Sequence, residues 1–198
     1  MKKTLLSSMA LVLPMLLALP AGAAVMVYNV NLDGPSESPP NASPGTGFAT
    51  ITYDSTAHTL EVNMSFSGLL GTTTASHIHC CTAAADTGTA GVATVTPTFT
   101  GFPLGVTAGT YDNTFDLTSA SAWNPSFITS HGGTTASAEA ALGAGMAAGE
   151  AYLNIHSTVV PGGEIRGFLM AAPVPEPASL AMLLAGVPLV ALARRRRG

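Results

Sequence analysis

Between residues 25 and 172, apolar side chains recur at every second position in several short stretches. From His58 to Phe66, Leu60, Val62, Met64 and Phe66 share one face while Glu61, Asn63 and Ser65 take the other, the alternation of a half-buried strand. Met26 to Leu32 reads as a first strand with Asn29 and Asn31 on its wet side. Gly47 to Tyr53, Ala75 to Cys80, Val92 to Thr100, Ala151 to His156 and Glu164 to Met170 are further strand candidates. Gly-Pro, Pro-Pro and Gly-Gly pairs separate them and break regular structure. The Ala-rich run Thr135 to Ala148 predicts a helix, with Gly143, Gly145 and Gly149 marking its C-terminal end. Thr118 to Ile128 reads as a short helical turn and Pro35 to Gly45 as a loop. The pattern predicts a mostly β domain: an antiparallel β-sandwich or barrel-like Greek key with one or two short helices.

Hydrophobic helices are expected to flank this domain at both ends. Lys2 and Lys3, the apolar stretch Leu5 to Leu19 and the small-residue site Ala21-Gly22-Ala23 fit a signal peptide over residues 1–23. At the other end, residues 173–198 hold Pro175-Glu176-Pro177, an apolar run of 16 residues from Ala178 to Ala193, and Arg194-Arg195-Arg196-Arg197. The run falls short of the ~20 residues a spanning helix usually needs, and the arginines would keep its end cytoplasmic. These three parts, in this order, resemble the PEP-CTERM sorting signal of Gram-negative bacteria. The resemblance implies transient membrane insertion, then processing by an exosortase after signal peptidase has acted. The product would reach the cell envelope, cell surface or extracellular matrix.

Charge narrows the partners. Six of the seven basic residues lie in the two ends, leaving Arg166 against ten acids and a net charge of −9 over residues 25–172 with His neutral. A chain of this kind lacks the positive footprint that nucleic acid requires. Cations, a matrix glycan or another protein suit it better.

The densest polar cluster is His77-Ile78-His79-Cys80-Cys81. In a strand, residues two apart point the same way, so His77 and His79 can offer two imidazoles to one ion. Imidazole suits copper and zinc. Tyr152, Asn154 and His156 alternate with Leu153 and Ile155, and Glu164 and Arg166 flank Ile165. If these strands are neighbours, His77, His79 and His156 form a candidate metal site on one surface. Glu164 and Arg166, two apart on that face, are expected to form a structural ion pair. His131 sits in a loop context, and His58 opens a strand as an exposed residue.

His77-Ile78-His79, Tyr152 to Ser157 and Pro161 to Gly167 are similar to the paired motifs of the CHRD (chordin-type) domain family. Leu32 to Pro40 and Gly45 to Ala49 resemble that family's opening. The likeness spans 25–172, and the family has no firmly assigned activity. After the His-x-His the family usually carries Gly-Pro, where this chain has Cys80-Cys81.

Export implies an oxidising compartment, where thiols pair, and the chain has only these two cysteines. A bridge between neighbours, an intermolecular disulfide, ligation by Cys81 and free thiols are the alternatives, with the neighbour bridge ranked first. No nucleophilic triad, glycosidase-like acid pair or phosphate loop is visible, so no catalytic residue is assigned and a non-enzymatic protein is expected. The leading expectation is an adhesive or structural module of the cell surface or matrix. The alternative is a copper- or zinc-binding exported protein.

Overall fold

Strand pairing in the computed structural model, which describes residues 25–173, follows the alternation closely. The elements in chain order are β1 (Val25–Asp33), β2 (Thr46–Asp54), β3 (Thr59–Ser67), β4 (Thr73–His79), β5 (Gly109–Asp116), a 3-10 turn (Ala120–Ala122), α1 (Pro125–Ser130), α2 (Thr135–Ala147), β6 (Tyr152–Ser157), β7 (Ile165–Phe168) and β8 (Met170–Ala171). The sheet order is β4-β6-β7-β1-β2-β3-β5, with β8 also paired to β1. Every pairing is antiparallel.

The strands thus form one curled sheet, a half-barrel, and not the two facing sheets of a sandwich. Its concave side holds the core: Tyr28, Val30, Ile51, Leu60, Val62 and Ile78 are among its fully buried side chains. The connection between β4 and β5, the segment between the 3-10 turn and α1, and α2 fill the remaining space with Phe99, Trp123, Leu142 and Met146. Trp123 satisfies its indole N–H by donating to the Leu117 carbonyl at 2.9 Å.

Two sequence expectations need correction. Val92 to Thr100 is not a strand: it runs beside β4 through single bridges such as His79 with Val92 and through bonds such as Phe99 N to the Ser76 carbonyl at 3.1 Å. Pro97 has no N–H to contribute to a ladder there. The strand that closes the row beside β3 is instead β5, whose inward positions are Tyr111, Asn113 and Phe115. The polar Asn113 between two aromatics hides its alternation.

Helix α2 begins where expected, with Thr134 and Ser137 forming a reciprocal capping box. Gly143 and Gly145 do not end it. They lie inside it, and a Cβ at Gly143 would sit 3.2 Å from the Tyr53 ring. A Cβ at Gly145 would collide with Cys80 Sγ and Cys81 Sγ. Gly149, with φ +73°, follows the helix in the left-handed region.

The signal peptide, the apolar C-terminal run, Pro175 to Pro177 and Arg194 to Arg197 lie outside the described residues. Among the described residues, no helix is long and apolar enough to cross a membrane.

Candidate metal centre

Strands β4, β6 and β7 are apolar on the concave side and polar on the other. Register pairs Ala75 with His156, His77 with Asn154 and His79 with Tyr152, then Asn154 with Arg166 and Tyr152 with Phe168. His77, His79 and His156 therefore meet on the convex side, their ring centroids 5.4 to 6.2 Å apart. One ring nitrogen from each lies within 4.8 Å of the others.

This side is not open surface. His77 and His79 are buried, as are Asn154 and Arg166. Two loops cover them, one following β1 and one following β4. The loop following β4 and the turn between β6 and β7 orient the imidazoles. His77 Nε2 donates to the Pro97 carbonyl at 2.7 Å, His79 Nδ1 to the Ala90 carbonyl at 2.9 Å, and His156 Nδ1 to the Pro161 carbonyl at 2.9 Å. A nitrogen facing a carbonyl must carry the proton, so each contact fixes a tautomer. The lone pairs fall on the opposite nitrogens: His77 Nδ1, His79 Nε2 and His156 Nε2.

Among the described residues, His77 Nδ1, His156 Nε2 and Glu37 Oε1 are the buried side-chain polar atoms without a hydrogen-bond partner. An unmet buried acceptor costs about 1–3 kcal/mol. His79 Nε2 lies 3.1 Å from Asn154 Oδ1; an imidazole already donating through Nδ1 accepts there only when the Asn154 amide is turned to present its NH2.

Protonation agrees with the geometry. Burial is the main force lowering all three imidazoles, and it takes His77 to about 4, with His156 and His79 adding to the effect. His79 is lowered by burial and by His156, and His156 by burial. All three are neutral at physiological pH. Neutral imidazoles held through their other N–H by fixed carbonyls are the arrangement of metal-ligating histidines. The donor set suits zinc or copper.

Glu164 and Arg166 do not pair. Glu164 precedes β7 and turns away, accepting from Ser43 Oγ at 2.6 Å and Gly71 N at 3.2 Å, and from Leu70 N. Burial opposes its ionisation, but hydrogen bonds from Ser157, Ser43, Leu70 and Gly71 outweigh it and hold the carboxyl below its usual range. Arg166 instead meets Glu37, Nε to Oε2 at 3.9 Å. It also donates to the Ser36 carbonyl, and to the Gly88 carbonyl at 3.1 Å. Its guanidinium lies 4.7 Å from the Tyr152 ring centroid, a cation–π contact. Burial overrides Arg166 and pushes the Glu37 carboxyl up to about 7.

Cys80 and Cys81 are bridged to each other, and neither joins the imidazole cluster. His131 caps α1, its Nδ1 donating to the Phe127 carbonyl at 2.9 Å. His58 pairs with Glu139 at 2.9 Å. Sequence alternation placed the three histidines together. It gave no sign of Glu37, which reaches Arg166 from a loop, or of the contact between Asn154 and His79.

Fold and site together define an antiparallel half-barrel with three covered imidazoles converging on its convex side. The chain belongs to the CHRD domain family, which matches over residues 28–169. No curated protein and no solved structure shows significant similarity to the chain.

Proposed function

We propose that this CHRD-domain protein is exported and holds one copper or zinc ion through His77, His79 and His156. The observation that carries this reading is the pair of buried, unpartnered nitrogens, His77 Nδ1 and His156 Nε2, within a cluster whose other ring nitrogens are anchored to carbonyls. Buried polar atoms are normally satisfied, so two unmet lone pairs in one cluster fit an ion bound between them. The N-terminal signal and the Pro175-Glu176-Pro177 and Arg194 to Arg197 tail support delivery to the envelope, surface or matrix through signal peptidase and exosortase. No catalytic role is assigned.

Metal analysis of the purified full chain tests the ion. One equivalent of copper or zinc is expected, falling to background in His77→Ala and His156→Ala. A ligand that binds only the native state at 100 times its Kd adds about 2.7 kcal/mol of stability, so melting should rise on adding the metal. Absence of both stoichiometric metal and a melting shift would leave the chain as the structural or adhesive module that its sequence also suggests.

A further inference from the structure

The convex side of β1, β2, β3 and β5 lies away from the histidines and has a different character. Register places Asn29, Thr50, Asn63 and Asp112 in one row across the four strands. The next row carries Phe48 between Asn31 and Ser65. Adjacent strands lie ~4.8 Å apart, so the face is a regular lattice of hydroxyls, amides and carboxylates. Asn63 Nδ2 donates to Asp112 Oδ2 at 3.0 Å across it. Phe48 is 46% exposed, an unusual position for an aromatic on a solvated sheet face. A shallow depression of about 680 Å³ adjoins it, bounded in part by Ser65, Gly109 and Thr110.

Charge selects the occupant. Asp54, Glu61, Asp112 and Asp116 all point to this side. The one Lys or Arg of the described residues, Arg166, is buried on β7. An anionic polymer is repelled, and a purely apolar partner would strand the hydroxyls and amides.

We propose that this face binds a polysaccharide bearing free amino groups. Its ammonium groups pair with the carboxylates, its hydroxyls exchange hydrogen bonds with the Thr and Asn rows, and a sugar ring lies on Phe48. The proposal takes from the previous section only the exported location; it does not depend on the metal.

Co-sedimentation of the full chain with insoluble chitosan, cellulose and an anionic polysaccharide gel tests it. Binding to chitosan alone is expected, weakening as salt shortens the ~8–10 Å screening length. Phe48→Ala and the double variant Glu61→Gln/Asp112→Asn should each weaken it about tenfold, as loss of a central contact does. All three sites are on the surface, and unchanged melting of the variants shows that they fold. His77→Ala should bind chitosan like the unaltered chain, which separates this result from the metal reading. Equal retention on cellulose, undiminished binding by the variants, or polylysine binding equally tight with and without Phe48 would each overturn the proposal. So would self-association through this face in place of chitosan binding.

Discussion

His79 lies flat on the ring of Tyr152, centroids 4.7 Å apart and planes 6° from parallel, with Arg166 also stacked on that ring. Tyr152 thus holds the imidazole on one side and the guanidinium on the other, and its hydroxyl donates to the Ala90 carbonyl at 3.2 Å, the same oxygen that takes the His79 proton. Tyr152→Ala is expected to cost about 3–5 kcal/mol, as buried aromatic truncations do, and to weaken metal uptake. Urea unfolding of the metal-free chain measures the first effect and metal titration the second. Tyr152→Phe should keep most of the stability, because the ring stays.

The buried ionisable groups give opposing pH dependences. His77 falls from an ordinary 6.5 to about 4 on folding. Its contribution is full above 6.5 and is lost as pH drops through this window, because the unfolded chain binds the proton first. His79 and His156 are lowered in the same sense. Glu37 rises from 4.5 to about 7, so its contribution is full below 4.5 and is lost as pH rises through about 7. Denaturant midpoints of the chelator-treated chain should therefore fall below about pH 6.5. In Glu37→Gln the loss between about 4.5 and 7 should vanish while the acid-side fall remains.

Removing one member of a buried ion pair leaves the other charge without compensation, at a cost of about 3–5 kcal/mol. Arg166→Met should therefore destabilise strongly at pH 8, where Glu37 must ionise. Arg166→Met combined with Glu37→Gln should recover part of that loss. A double-mutant cycle in denaturant would show the coupling. Glu164→Gln, by contrast, should not couple to Arg166, because Glu164 bonds to Ser43, Leu70 and Gly71 while Arg166 bonds to Ser36, Glu37 and Gly88, with no shared partner.

Gly145→Ala is a case where helix propensity and packing disagree. Alanine is favoured over glycine in a helix by about 1 kcal/mol, yet the added methyl would enter the space held by Cys80 Sγ and Cys81 Sγ. We expect packing to win and thermal melting to fall. Ala144→Gly, one position away, should lose only the propensity term.

Much of this was legible in the chain. The alternation Leu60, Val62, Met64, Phe66 marked β3 and its face, and His77-Ile78-His79 with Asn154-Ile155-His156 put three imidazoles on one side because both strands share the two-residue period. What escaped depended on contacts between loops and strands. Glu164 seemed the natural partner of Arg166 by spacing, but it lies just before β7, after Gly163 with φ +134°, and local hydrogen bonds capture it. Glu37 reaches Arg166 from 129 positions upstream, which no local pattern can show. The outward-facing histidines also proved to be covered, since alternation distinguishes the two sides of a sheet but not whether a loop lies over one of them.

The burial of Arg166 has a consequence for resistance to proteolysis. Proteases that cleave after lysine or arginine have a single target between residues 25 and 173, and it lies inside a strand at 5% exposure. Digestion by such an enzyme must wait for unfolding, so residues 25–173 should persist intact under trypsin for as long as they stay folded.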